Sequence, residues 1–245
     1  MRRFFFLLGC VAALPAPLLA QEPAKPAKPK YEFRRQHDPN GTGKFYLGRE
    51  IAQVMGHEGA GWLERPEREK EEQPAKLLPL LKLKAGEVVA DIGAGSGYYT
   101  FKLAELVGPD GKVYAVDIQP EMLALIRKRM KDKGIPNVIP HLGKTSDPKL
   151  PDASIDLILM VDVYHEFSHP YEMTEAMIKA LKPGGRLVFV EFRLEDESVP
   201  IKLVHKMTEK QVLKEMAVFP QMKHAGTSKD LPWQHVITFE KKAEK

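Results

Sequence analysis

From Glu87 onward, short apolar runs alternate with longer amphipathic segments. Glu87-Val-Val-Ala-Asp91, Lys112-Val-Tyr-Ala-Val-Asp117, Ser154-Ile-Asp-Leu-Ile-Leu-Met-Val161 and Arg186–Phe192 have strand length and are apolar through most of it. That is the pattern of strands buried on both faces of a parallel sheet. Asn137-Val-Ile-Pro-His141 is a weaker strand between the second and the fourth. Tyr98–Val107 carries Phe101, Leu103, Ala104 and Val107 on one helical face. Pro120 opens a second helix, with Met122, Leu123, Leu125, Ile126 and Met130 inward and Lys/Arg outward. Tyr171–Leu181 reads as a helix ended by Lys182-Pro183-Gly184-Gly185. A helix near Thr208–Ala217 and strand-like pieces at Gln221–Ala225 and Trp233–Glu240 complete the chain. Strands alternating with helices predict an α/β domain over residues 83–245 with a parallel sheet.

The first 82 residues read differently. Met1-Arg2-Arg3, an apolar stretch from Phe4 to Leu19, and Ala20 before Gln21 describe a secretory signal over residues 1–20. The apolar stretch is short for a membrane span and is broken by Pro15 and Pro17. The protein is therefore expected to be exported, periplasmic or secreted, with no stable membrane insertion of the mature chain. Leu7-Leu8-Gly9-Cys10 leaves a lipoprotein anchor at Cys10 as the alternative. Residues 21–43 form a linker and an irregular segment, with Pro23, Pro26 and Pro29 at the three-residue polyproline II repeat. Residues 44–82 are expected to form an N-terminal lid or helical extension: Tyr31–Trp62 shows no clean period, and Ala75–Leu83 reads as a helical approach to the first strand. Gly56-His57-Glu58-Gly59-Ala60-Gly61-Trp62 is a glycine-rich loop, and Glu67–Gln73 begins a charged helix.

Composition narrows the chemistry. Basic side chains number 37 against 33 acidic, and without Arg2 and Arg3 the excess falls to two. That balance gives no electrostatic footprint for nucleic acid. Cys10 is the sole cysteine, so the body holds no disulfide, cysteine zinc site or catalytic thiol.

The centre of the chain is Asp91-Ile-Gly93-Ala-Gly95-Ser-Gly97, a strand end running into a helix start. Glycines allow positive φ and close approach of a ligand, and the free N–H groups of a helix start favour an electron-rich one. The third glycine arrives one residue too early for a dinucleotide fingerprint, and no G-K-[ST] closes a phosphate loop. The remaining D-x-G-x-G-x-G, with Asp117 ending the second strand one β-α-β unit later and Leu181-Lys-Pro-Gly-Gly185 before the fifth, resembles the class I S-adenosylmethionine (SAM)-dependent methyltransferases over residues 75–240.

The resemblance implies a Rossmann-like, seven-stranded, mostly parallel sheet with an antiparallel last strand and helices on both faces. It implies SAM as the cofactor. Asp91 would hold the methionine-side ammonium, and Gly93, Gly95 and Gly97 would pass close to the ligand. Asp117 would take the ribose hydroxyls, since a carboxylate offers two oxygens to a diol. Ile118 would pack on the adenine. The bland readings are a loop cap for Asp91 and a helix N-terminal acid for Asp117. Where relatives carry G-D-[AS] after the third strand, this chain has Gly143-Lys144-Thr145. Lys144 cannot accept a hydrogen bond, so Thr145, a backbone carbonyl, Ser146 or Asp147 would meet the adenine amino group.

Asp162-Val-Tyr164-His165-Glu166 follows the fourth strand, where this fold faces the transferable methyl group. Asp162 is expected at the cofactor, and Tyr164, His165 and Glu166 at the chemistry. His165 is either a general base or a structural hydrogen-bonding group. His165-Glu-Phe-Ser-His169 matches the H-E-x-x-H zinc pattern, but that motif needs a continuous helix, and Pro170 opposes helical geometry at His169. No metal is expected. In relatives the segment before the first strand lies over the active site as a lid, which makes His57, Trp62, Glu64 and Arg65 substrate-side candidates. Equally, Trp62 could anchor the segment and Arg65 pair with a nearby Glu. The function expected is methyl transfer to an O, N or C nucleophile of a small molecule. The alternative is a non-catalytic SAM-binding or sensing protein, with a zinc hydrolase a distant third.

Overall fold

The computed structural model describes residue 1, residue 28 and residues 30–243. The expected signal segment, Cys10 and the proline repeat lie outside the described residues, apart from Met1 and Lys28.

Three short strands open the fold: β1 (Tyr31–Phe33), β2 (Gly41–Tyr46) and β3 (Arg49–Ala52), an antiparallel sheet in that order. The hydropathy pattern does not predict them, and β2 explains why. Its buried positions include Gly41 and Gly43, so no apolar alternation is visible. The space above them belongs to a carboxylate: a Cβ on Gly41 would come 2.0 Å from Glu50 Oε1. Glu50 accepts from Gly43 N at 2.9 Å and Asp38 N at 3.0 Å. Three short helices follow, α1 (Ala60–Leu63), α2 (Arg68–Glu71) and α3 (Pro74–Leu80).

The expected α/β domain then runs β4 (Val88–Ile92), α4 (Tyr98–Val107), β5 (Lys112–Asp117), α5 (Pro120–Lys133), β6 (Val138–Leu142), β7 (Ile155–Val161), α6 (Pro170–Ala180), β8 (Leu181–Phe192), α7 (Glu209–Met216), β9 (Met222–Ser228) and β10 (Gln234–Lys241). The seven strands from β4 form one sheet in the order β6-β5-β4-β7-β8-β10-β9. The first five are parallel, and β10 lies antiparallel between β8 and β9. Alternate residues of β7 divide the core, with Ile158 and Met160 on one face and Leu157 and Leu159 on the other, the period-two pleat of a doubly covered strand.

Leu181–Gly185 departs from the expected turn. Ile155 already pairs with Leu181, and Leu157 pairs with Arg186. The intervening residues form a bulge, with Gly184 at φ +76°. The segment is the entry of the strand rather than a loop before it.

The order reverses at β4, whose neighbours β5 and β7 lead to opposite edges. Ligand crevices in open α/β sheets form at that point, outside the carboxyl ends of the strands.

Candidate active site

β4 ends at Ile92 and the chain turns through Gly93, Gly95 and Gly97, at φ +69°, +54° and +83°. Gly93 N and Ala94 N both donate to Val116 O, at 2.8 and 3.0 Å. The loop is also wedged from outside. A Cβ on Gly93 would meet Val163 Cγ2 at 2.4 Å, and one on Gly95 would meet Leu63 Cδ1 at 2.5 Å. The glycines thus serve packing as well as approach to the cavity.

Asp117, at the end of β5, ties this loop to the next one. Its Oδ2 accepts from Gly95 N at 2.9 Å and its Oδ1 from Gln119 N at 2.9 Å. Burial pushes its carboxyl upward, against the opposing pull of these N–H donors. Asp91 lies deeper. Its Oδ2 accepts from the Thr100 hydroxyl at 2.6 Å. Burial raises it to about 7, with the Asp117 charge adding and the Thr100 hydroxyl opposing.

Asp162 follows β7 in the left-handed region at φ +50°, a strained conformation for a non-glycine residue. Its Oδ2 accepts from Gln234 Nε2 at 2.6 Å, while its Oδ1 is buried without a partner. Burial and the nearby Glu72 and Glu191 charges hold its carboxyl well above the usual range. Arg68 also lines this region. Its guanidinium donates to Glu72 Oε2 at 2.7 Å and Leu63 O at 2.9 Å, over the rings of Tyr98 and Tyr99.

A 3₁₀ turn over Tyr164–Glu166 presents His165. Its Nδ1 lies 2.6 Å from Glu191 Oε2, and Glu191 Oε1 accepts from Tyr164 N at 3.0 Å. Burial disfavours the imidazolium, but the Glu191 charge and hydrogen bond outweigh it and raise the His165 pKa. Its Nε2 is 3.2 Å from Nδ1 of His205. His205 is pushed down to about 4, by burial first and by the His165 charge second. Burial brings Glu166 up to about 7.

Several of these groups line one cavity of ≈ 590 Å³. Gly93, Gly95, Asp117, Ile118, Lys144 and Thr145 share it with Asp162, His165 and Glu166. Asp91 and Gly97 are not among the lining residues. Nor is Tyr164, which packs in the core edge-on to Phe167 and Phe189 with ring centroids 5.3 and 4.9 Å away. Of the lid residues, Trp62 lines the cavity. Arg65 instead lies 3.6 Å over the Trp62 ring and pairs with Glu71 and Glu72 at 2.8 and 2.7 Å. Glu64 joins Ser96 and Arg129, both at 2.5 Å. His57 begins a 3₁₀ turn and is half-exposed outside the cavity lining. His169 belongs to no shared helix with His165: it precedes α6, and its Nδ1 is 3.0 Å from Ser168 Oγ.

Sequence reasoning misses Glu191, Arg68 and His205. A lone acid inside the apolar run Val188-Phe-Val-Glu191-Phe is a visible signal for the first. Arg68 sits in a charged segment and His205 in an irregular one, and neither stands out there.

A family model described as a methyltransferase domain matches residues 83–242. The chain is 33% identical over 116 residues to the ubiquinone/menaquinone biosynthesis C-methyltransferase of Ectopseudomonas mendocina, covering 47% of this chain and 45% of that protein. It is 35% identical over 114 residues to the protein-L-isoaspartate O-methyltransferase of Ignicoccus hospitalis, covering 46% and 51%. The chain thus spans about half the length of the curated relatives it matches. A SAM-dependent methyltransferase from Aquifex aeolicus superposes with a TM-score of 0.71 at 25% identity, covering 76% of this chain and 99% of that one. The site fits SAM. Asp117 has lone pairs left for a diol, and the unpartnered Asp162 Oδ1 offers a hydrogen-bonding site to an amino acid beside the Arg68 guanidinium. With this sheet order, this loop and this match, the chain belongs to the methyltransferase-domain family of class I SAM-dependent methyltransferases.

Proposed function

We propose that the protein transfers a methyl group from SAM to an O, N or C nucleophile of a small molecule. The observation that carries this reading is a single cavity that joins the Asp117–Gly95 cradle to the polar cluster of His165, Glu166 and His205. SAM held by Asp117, Gln119, Asp162 and Arg68 would supply an activated methyl carbon on a sulfonium leaving group. The chain's own residues supply binding and alignment. Asp117 and Gln119 hold one end, the Arg68 guanidinium and the free Asp162 oxygen face the amino-acid end, and Phe167, Phe192 and Ile201 give the acceptor apolar walls. His165 faces the acceptor with its ring fixed by Glu191.

The cavity volume lies in the range of small-molecule sites, about 300–1,000 Å³. Val54, Met55, Trp62 and Leu63 line it from the N-terminal segment, which favours a compact acceptor over a polymer. The near-balanced charge also argues against nucleic acid. The test is transfer of labelled methyl from SAM into a metabolite extract. A labelled small product is expected, and SAM binding without any transfer would leave the sensing alternative. We place the protein outside the cytoplasm on the strength of residues 1–20. A mature N-terminus at Gln21 is expected, and a lipidated Cys10 would replace secretion with anchoring.

A further inference from the structure

Three metal-ligating atoms converge where the acceptor end of the cavity meets the 3₁₀ turn. His165 Nε2 and His205 Nδ1 are 3.2 Å apart. Glu166 Oε1 lies 4.0 Å from the first and 3.8 Å from the second. The circle through a triangle of these sides has a radius of about 2.1 Å, the product of the sides divided by four times the area. A point at its centre is therefore at one distance from all three atoms. Zinc binds imidazole nitrogen at about 2.0–2.1 Å and carboxylate oxygen at about 2.0–2.2 Å. We propose that His165, Glu166 and His205 form a binding site for a divalent transition-metal cation of the zinc class, with its remaining coordination position open to the cavity.

The surroundings have the form such a site needs. A metal-bound imidazole usually gives its other nitrogen to a carboxylate, which fixes the tautomer and aims the lone pair. Glu191 does this for His165 at 2.6 Å from Nδ1, and Glu191 is itself fully buried and held by Tyr164 N. Two histidines and one carboxylate also match catalytic zinc sites that keep a position for water or substrate. A proton shared between the imidazoles accounts for the 3.2 Å contact but not for the carboxylate facing both nitrogens. The hydrogen bonds Glu166 accepts from Met55 N, at 3.3 and 3.4 Å, are long. The site is not the H-E-x-x-H pattern of the sequence: its third ligand is His205, forty residues away, and His169 takes no part.

Cation binding stands on this coordination geometry alone. Its use in methyl transfer rests on the acceptor lying at this end of the cavity. There the open position would hold an acceptor oxygen and lower its pKa, as zinc does for water, with the proton passing to solvent. His165 Nε2 is then a ligand and not a base, and the proposal departs from two expectations from the sequence, that base and the absence of a metal.

The test uses the full chain stripped by chelator and titrated with Zn²⁺ in a calorimeter, then loaded with Co²⁺ for its visible absorption. One equivalent per chain and a Co²⁺ spectrum of low coordination number are expected. His205→Ala, at a partly exposed position, and Glu166→Gln should each weaken Zn²⁺ by tenfold or more. Glu191→Gln should weaken it about 10–100-fold as a positioning residue. His169→Ala should leave it unchanged. Absence of binding by the folded wild type, or equal affinity in His205→Ala, overturns the site. SAM titration of the same metal-free protein reports on the methyltransferase reading separately.

Discussion

Arg49 of the N-terminal hairpin and Glu215 of α7 form a two-pronged ion pair, Nε to Oε1 at 2.7 Å and one terminal nitrogen to Oε2 at 3.1 Å. Glu215 is fully buried. The other terminal nitrogen of Arg49 donates to His165 O at 3.1 Å. One guanidinium thus ties the N-terminal sheet, α7 and the 3₁₀ turn that presents His165. Removing one partner of such a pair strands a buried charge, at about 3–5 kcal/mol. Arg49→Ala should lose that much stability in urea unfolding and lower Tm. Arg49→Met combined with Glu215→Leu should recover most of it, since apolar replacement of both partners is often near neutral. A single-mutant loss under about 1 kcal/mol, the scale of an exposed pair, would show that water reaches the charges.

Asp117 is the residue whose loss should be felt most in cofactor binding. Both its oxygens already take backbone N–H groups, so the carboxylate is fixed before a diol arrives. Hydrogen bonds to a charged group contribute about 1.5–3 kcal/mol each. Asp117→Ala should weaken SAM tenfold or more in calorimetry, and Asp117→Asn less, because one acceptor oxygen remains. Unchanged affinity in Asp117→Ala would remove the ribose assignment.

Asp91 should write a pH signature into stability. Its folded pKa of about 7 lies above the unfolded value of about 3.9. Protonation is therefore favoured by folding, and the contribution is complete below pH 4 and lost as pH rises to about 7. At 1.36 kcal/mol per tenfold change in proton affinity, the full span is about 4 kcal/mol. Asp91→Asn stays neutral and lacks this slope. The stability difference between variant and wild type should therefore shift in the variant's favour from pH 4 to 7 and flatten above. Parallel stability curves for the two proteins would mean that Asp91 is not buried as a charge.

How much of this could be read from the chain follows from what each residue does locally. β4, β5 and β7 are apolar because both faces of the sheet are covered, so composition reveals them. Asp91, Asp117 and Asp162 end strands, and the topology brings strand ends together at the crevice. β2 was hidden because glycines and a carboxylate fill its inward side. Arg65 carries the charge of a site residue, but its pairing with Glu71 and Glu72 depends on a turn that no periodicity encodes. His205 reaches His165 only through tertiary packing across forty residues, and no local pattern records such a contact.

Leu63 and Gly95 give the most direct check that the N-terminal segment closes on the cofactor loop. A Cβ at Gly95 would sit 2.5 Å from Leu63 Cδ1, and its φ of +54° is left-handed. Gly95→Ala therefore carries two costs. The left-handed backbone adds about 1–2 kcal/mol for a residue with a Cβ, and the overlap adds about 1–3 kcal/mol if Leu63 cannot move. Leu63→Ala removes the overlap and leaves the backbone strain. Placed in that background, Gly95→Ala should cost only the smaller, backbone part in urea unfolding, and SAM affinity should recover part of the way. Equal costs with and without Leu63 would mean that the segment does not rest on the loop, and that the glycine is needed for its backbone conformation alone.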